Sequence, residues 1–201
     1  MDQPSVYSRE QIVEAALELM REEGWNAVST RAIARKLGSS TMPIYSHFRS
    51  VEELEGELRV KARSLLTEFQ RRQYTEHVLL NVAFGYVAFA RDEQNLFRFL
   101  YLERPEKMGP ESLSDMKESF IAEFGKDSPV GMALAELETS AQKAVIQYSW
   151  IFTHGLAVLV NSGALDHYSD EVILRFLMNA GAAFHAWGVE TGGDDIEAHE
   201  A

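Results

Sequence analysis

Side chains that can donate hydrogen bonds to phosphate oxygens are concentrated between residues 29 and 49 of this 201-residue chain. They are the hydroxyl, phenol, imidazole and guanidinium groups of Ser29, Thr30, Arg31, Ser39, Ser40, Thr41, Tyr45, His47 and Arg49, and the apolar side chain of Met42 lies among them. Residues 24–50 contain no acidic residue, so this stretch is locally positive. Groups of these kinds hold a protein on a nucleic-acid backbone and, at a helix start, reach base edges. The segment therefore predicts a DNA-contacting surface.

Two pairs of these residues have different predicted roles. Tyr45 and His47 can donate to phosphate oxygens without reading the base sequence, although Tyr45 could instead complete a small core. Thr41 and Met42 begin a predicted helix, where a hydroxyl or an apolar group can contact base edges. Thr41 could instead serve only as a helix cap. No base preference follows from these residues.

Two short predicted helices joined by a glycine turn position these side chains. Ser29 is placed to cap the first of the two, and Gly38 supplies a turn that needs a left-handed backbone. One of the three hydroxyl residues after the glycine caps the next helix, and Pro43 falls in its first turn. Ile44 and Phe48 lie four residues apart and face the core, which turns the phenol and the imidazole outward. This pattern is typical of a helix-turn-helix.

Longer helices are predicted on both sides of this pair. The first runs from Ser8 to Glu23 and stops at Gly24, and Trp25 is expected to pack against it. A connecting helix follows over residues 51–74. The sequence thus predicts a DNA-binding domain at residues 1–50, a ligand-binding and dimerisation domain at 75–190 and a flexible acidic tail at 191–201.

The remainder of the chain also has helical periodicity and no strand-like alternation. Predicted helices cover approximately residues 77–91, 93–103, 111–124, 136–162 and 169–190. We therefore expect an all-α fold, with a three-helix domain joined by its fourth helix to a larger helical bundle.

Residues from Ser8 to about Leu58 resemble the DNA-binding domain of the TetR family of bacterial repressors. The matching positions are Ile12, Ala15, Ala16, Gly24, Ile33, Ala34, Gly38, Ser40, Ile44, Tyr45, His47, Phe48, Glu53 and Leu54. A second element, from Trp150 to His154 and Gly155, resembles a Trp…His-Gly element of some ligand-binding domains in this family. Two positions depart from the family pattern: Val51 replaces a common lysine, and Ala32 replaces a common acidic residue.

The resemblance implies a homodimer that pairs through the last two long helices and binds a palindromic operator in double-stranded DNA. It also implies an effector cavity in the second domain. Aromatic and imidazole side chains are the candidates for lining such a cavity: Phe89, Phe97, Tyr101, Phe120, Phe124, Tyr148, Phe152 and His154. They favour an apolar or aromatic small-molecule effector. Aromatics at helical spacing could equally be ordinary core residues.

Charge and composition narrow the function classes further. The net charge is −12, but residues 1–74 contain 11 basic and 11 acidic residues, so the excess lies after residue 74. The chain has no cysteine, and its scattered histidines lack metal-ligand spacing, so we expect no metal, no cofactor and no enzyme activity. A signal peptide and a membrane span are not evident, which favours a cytoplasmic protein. We predict a repressor released by an effector; the alternative is a helical protein-interaction module that has lost DNA binding.

Overall fold

The computed structural model describes residues 7–107, 115–135 and 140–191, and these residues contain helices and no strand. The helices are α1 Arg9–Glu23, α2 Thr30–Lys36, α3 Met42–His47, α4 Val51–Arg71, α5 Val78–Asp92, α6 Gln94–Arg98, α7 Met116–Phe124, α8 Pro129–Ala135, α9 Ser140–Asn161 and α10 Asp170–Thr191. The all-α prediction is confirmed. None of the described helices combines the length and apolar character that a membrane crossing requires.

The chain divides into two compact units. The first contains the residues up to Leu65 together with the segment Glu93–Glu106. The second contains Leu66–Asp92 and the described residues from Lys107 onward. Helix α4 contributes residues to both units. The domain limits drawn at residues 50 and 74 from the sequence stay predictions, as does the flexible tail, since residues 192–201 lie outside the described chain.

Local sequence signals account for α1. The Ser8 hydroxyl accepts a 3.2 Å hydrogen bond from the N–H of Gln11, whose side chain accepts the N–H of Ser8 at 2.9 Å. Gly24 ends the helix with a φ of 84°. Past the end of α1, the Trp25 ring lies 5.1 Å from the ring of Phe99, a contact that sequence reasoning did not anticipate.

Several helix limits differ from the predicted ones. Helix α4 ends at Arg71, and α6 is short because the backbone continues as one π-helical turn at Phe99–Glu103. Helix α8 was not predicted, because Gly125 to Pro129 reads as a linker. Pro129 instead opens the helix, where its missing N–H costs nothing. Residues 111–114 and 136–139 of the predicted helices lie outside the described chain.

The core of the second unit is centred on α5. At Gly85, an added Cβ would lie 2.6 Å from the Cα of Gln70, so α5 meets the last turn of α4 backbone to backbone. One turn further, the ring of Phe89 packs edge-on against Phe69, with centroids 5.6 Å apart. Helix α9 is tied to α5 by the side-chain amide of Asn161, which donates a buried 2.8 Å hydrogen bond to the carbonyl of Ala90.

Candidate nucleic-acid interface and internal cavity

The predicted helix-turn-helix is present in the first unit. The Ser29 hydroxyl accepts the N–H of Ala32 at 3.2 Å and caps α2. Gly38 takes a φ of 64°, and the N–H of Ser39 then donates to the carbonyl of Ala34 at 2.9 Å. The turn therefore satisfies carbonyls at the end of α2 and fixes the direction in which α3 begins.

Helix α3 buries one face and exposes the other. Ile44 and Phe48 are buried, whereas 75% of Met42 and 58% of Tyr45 is exposed. The Tyr45 hydroxyl lies 3.4 Å from the hydroxyl of Thr30. A side chain of α3 and the first residue of α2 therefore place two hydroxyl groups side by side. Tyr45 is therefore not a core residue.

Thr41 occupies the position just before α3, but its hydroxyl makes no capping bond. Its carbonyl accepts the first hydrogen bonds of the helix, from the N–H groups of Ile44 at 3.1 Å and Tyr45 at 3.3 Å. The backbone of Thr41 thus starts α3, and its side chain stays available at the beginning of the exposed face.

His47 is more constrained than the sequence suggested. Its ring is half-buried, and Nε2 lies 2.9 Å from the carbonyl oxygen of Tyr7. A carbonyl can only accept, so Nε2 carries a proton that is donated inside the protein. A phosphate contact from this ring would therefore use Nδ1, which donates only when the imidazole is charged.

Arg9 is a positioning residue that sequence reasoning missed. Its guanidinium donates to the carbonyl of His47 at 2.6 Å and to the carboxylate of Glu57 at 3.0 Å. It also lies 4.1 Å above the centre of the Phe48 ring. Only the spatial meeting of α1, α3 and α4 reveals this role, because 38 residues separate Arg9 from His47 in the chain.

The start of α4 fixes the segment that follows α3. The carboxylate of Glu53 accepts the backbone N–H of Arg49 at 2.9 Å, and Ser50 accepts the N–H of Glu53 at 3.3 Å. The hydrogen bond from the Arg49 N–H and that from the Arg9 side chain hold the pKa of the Glu53 carboxyl below its usual value. The backbone of Arg49 is thus anchored while its side chain is exposed.

The basic side chains of the helix-turn-helix fall into two groups. Lys36 is paired with Glu22 at 3.0 Å and Glu18 at 3.3 Å, and these hydrogen bonds raise its pKa. In contrast, Arg31, Arg35 and Arg49 are exposed and form no salt bridge with a described acidic side chain, although the charge of Arg49 acts on the nearby Glu53 carboxylate. Three guanidinium charges are therefore available to an external anion.

The second unit contains a cavity of about 440 Å³. Its wall is largely apolar and comes mainly from α5, α9 and α10. Two of the predicted ligand residues, Phe120 and Phe152, line it. The other six do not belong to the wall: Phe89, Phe97, Tyr101, Phe124, Tyr148 and His154.

These six side chains pack elsewhere. Phe97 and Tyr101 lie in the first unit, with ring centroids 5.2 Å apart. Phe124 is buried in a cluster with Val82 and Val130, and Tyr148 packs edge-on against Trp187 at 5.3 Å. Phe89 faces Phe69, as described above. These residues were predicted from their apolar periodicity, which indicates only that a side chain is buried. Burial does not distinguish a core residue from a residue of a cavity wall.

His154 lies behind the cavity wall rather than in it. Its Nδ1 is 2.9 Å from the hydroxyl of Tyr86, and the indole of Trp150 stacks on the imidazole at 5.3 Å. Both partners line the cavity. Burial lowers the pKa of His154, so the ring is neutral at pH 7. Among the described residues, no three His, Asp or Glu side chains are grouped to hold a metal ion.

Comparison with known proteins connects this geometry to a family. Residues 12–58, which span most of α1, all of α2 and α3 and the beginning of α4, match the model described as bacterial regulatory proteins, tetR family. The chain is 25% identical over 177 residues to Rv0681 of Mycobacterium tuberculosis, named an uncharacterised HTH-type transcriptional regulator, covering 85% of this chain and 78% of that protein. It is 24% identical over 167 residues to YobS of Bacillus subtilis, which has the same description, covering 81% and 84%. The N-terminal helix-turn-helix of this chain is thus similar to that of the TetR family of bacterial regulatory proteins, and most of the chain is similar to two HTH-type transcriptional regulators.

Proposed function

We propose that this protein is a sequence-specific transcription regulator that places α3 in the major groove of double-stranded DNA. The observation that carries the proposal is the charge arrangement of the helix-turn-helix. Arg31, Arg35 and Arg49 form no salt bridge with a described acidic side chain, although the whole chain has a net charge of −12. Phosphate contact depends on the local field at the docking face, so this face suits DNA whatever the total charge.

The exposed groups of this face divide by role. Tyr45 and Thr30, whose hydroxyls lie 3.4 Å apart, are placed to donate to one phosphate. Arg31 and Arg49 contact neighbouring phosphates, with support from Ser29, Ser39 and Ser40. Thr41 and Met42, at the start of the exposed face of α3, reach base edges. His47 contributes mainly by holding α3 against the N-terminal segment.

A homodimer supplies the second half of the operator contact. Apolar side chains are exposed along the last two long helices: Ile151, Phe152 and Leu159 on α9, and Phe176 and Met178 on α10. Exposed apolar surface of this extent suits a protein partner. Pairing two copies through α9 and α10 gives the two-fold symmetry that a palindromic operator requires, with half-sites about 34–36 Å apart.

The cavity provides a means of release from DNA. Its volume of about 440 Å³ is within the range of sites that bind small molecules. A repressor would leave its operator when an effector binds the cavity and favours a state in which the two recognition helices no longer match successive major grooves. The coupling energy equals the difference in effector affinity between the two states. Helix α4 contributes residues to both units, and it therefore connects the unit that contains the cavity to the helix-turn-helix.

A gel shift against the DNA upstream of the protein's own gene, with excess competitor DNA, tests this function. We expect a specific complex, and we expect Tyr45→Phe to weaken it about 10- to 100-fold, because a charge-assisted hydrogen bond contributes about 1.5–3 kcal/mol. Tyr168→Phe, at another exposed tyrosine, should bind as the parent does. A Tyr45→Phe variant with unchanged affinity would remove this residue from the interface. No specific complex with any genomic fragment would favour a protein-interaction module.

A further inference from the structure

We infer that the cavity of the second unit binds an uncharged, mainly apolar molecule whose single polar group both donates and accepts hydrogen bonds, as a carboxamide does, and that Gln70 pairs with that group. The inference rests on the proposed function, since it takes the cavity as the effector site. The inference names the chemical class of the effector, and it identifies Gln70 as the residue that distinguishes this class from others.

The side chain of Gln70 is buried without a partner. Gln70 is only 7% exposed, lies in the last turn of α4 and lines the cavity. Among the described residues, nothing accepts from or donates to its side-chain amide. A side-chain amide offers two donors and one acceptor, and in the empty cavity only water can use them. A ligand group that both donates and accepts can replace that water and pair with Gln70 directly.

The packing of α5 fixes where Gln70 sits. Because Gly85 has no side chain, the backbone of α5 lies against the backbone of Phe69 and Gln70. This contact leaves the Cα of Gln70 no room to move closer to α5. The amide is therefore held at the cavity by the helix packing itself and does not depend on a mobile loop.

A second unpaired polar group lines the same cavity. Thr153, on α9, is 8% exposed, and its hydroxyl makes no hydrogen bond to any described residue. By contrast, the Tyr86 hydroxyl, which also lines the cavity, is already engaged by His154. The polar groups available to a ligand thus include the amide of Gln70 and the hydroxyls of Thr153 and Ser149, and each of them can donate and accept.

The remainder of the wall excludes an ionic ligand. None of the described lining residues is Asp, Glu, Lys or Arg. The two lining histidines, His77 and His185, are exposed. A carboxylate or ammonium group would lose its hydration in the cavity without gaining a counter-ion, which is strongly unfavourable. Aromatic walls at Phe120, Trp150 and Phe152 suit a ring on the apolar part of the ligand.

Three matched probes test the assignment: 4-propylbenzamide, 4-propylbenzoate and propylbenzene. We would titrate each into the full chain at pH 8, without DNA, and measure Kd by ligand-observed NMR. The amide is expected to bind at least tenfold more tightly than either of the other two. Gln70→Leu should abolish that preference and retain propylbenzene binding, which also reports an intact cavity. Gln73→Leu, at an exposed glutamine three residues further on, should behave as the parent.

The proposal is overturned if the benzoate binds as tightly as the amide, if the amide and the hydrocarbon bind equally, or if none of the three binds. It is also overturned if Gln70→Leu keeps the amide preference. Because these titrations contain no DNA, they are independent of the gel shift. A regulator with a different effector would therefore show a specific DNA complex and fail here, whereas a non-regulator would fail the gel shift.

Discussion

The guanidinium of Arg9, in the first turn of α1, donates a 2.6 Å hydrogen bond to the carbonyl oxygen of His47, the last residue of α3. A cation at this end of a helix also faces the negative end of the helix dipole. The same side chain bridges to Glu53 and Glu57 in α4. One residue thus joins α3 to α1 and α4, and this junction sets the orientation of the exposed face of α3.

Arg9→Met is therefore expected to lower the Tm and to weaken DNA binding, although Arg9 itself need not touch DNA. The His47 carbonyl would lose its donor, and two carboxylates of α4 would lose their counter-ion. Circular-dichroism melting measures the change. Arg35→Met, at an exposed arginine with no described acidic partner, is the control and should leave the Tm unchanged. Equal Tm values for the two variants would rule out the junction.

Gly85→Ala should destabilise the protein by about 1–3 kcal/mol, because a methyl group there would enter the backbone of the last turn of α4. Urea unfolding gives the change in free energy. Gly56→Ala is the matched helical control, since an added Cβ at that position meets nothing within 4 Å. The control should be neutral or stabilising by up to about 1 kcal/mol. A neutral Gly85→Ala would mean that α4 and α5 are not in backbone contact.

Structural features that depend on neighbouring residues in the chain could be predicted from the sequence, whereas contacts between distant segments could not. Ser8, Ser29 and Gly38 act on their own neighbours, so the helix starts and the turn before α3 follow from residue type. The junction at Arg9 joins distant segments, and no local pattern marks it. Helix α8 was not predicted because a proline occurs both in linkers and in the first turn of helices, and Pro129 was interpreted as part of a linker.

The cavity illustrates the same limit. Aromatic periodicity identified buried faces, but whether a buried side chain faces a neighbour or an empty space depends on the packing of several helices. Phe97 and Tyr101, for example, are predicted ligand residues that lie in the first unit, whereas the cavity lies in the second. Gln70, by contrast, stands on a helix of ordinary polar composition and became a candidate only once its burial and its unpaired amide were known.

His154 predicts a specific pH dependence of stability. Burial lowers its pKa in the folded protein below the ordinary value of about 6.5, so the unfolded chain binds its proton at higher pH than the folded chain. Stability is therefore lost as pH falls through about 6.5. Urea unfolding at about pH 7.5 and pH 5.5 measures the loss, and His154→Gln should make it smaller. An identical loss in parent and variant would contradict burial of a neutral imidazole.

The exposed apolar face of α9 predicts the oligomeric state. We expect sedimentation velocity to show a dimer, and Leu159→Glu to shift the protein to monomer, because a carboxylate in an apolar interface has no partner there. Val60→Glu places the same charge on an exposed valine of the first unit and should remain dimeric. A dimeric Leu159→Glu variant would move the interface away from α9.

The salt dependence of operator affinity tests the central claim most directly. Fluorescence anisotropy between about 50 and 200 mM salt gives the slope of log K against log salt, which counts the phosphates that the protein neutralises. Arg31→Gln and Arg49→Gln should each reduce that slope by about 1. Lys36→Gln, at a lysine already paired with Glu18 and Glu22, should leave it unchanged. If the two arginine variants keep the parent slope, or if no specific complex forms at low salt, the helix-turn-helix is not the DNA-contacting surface.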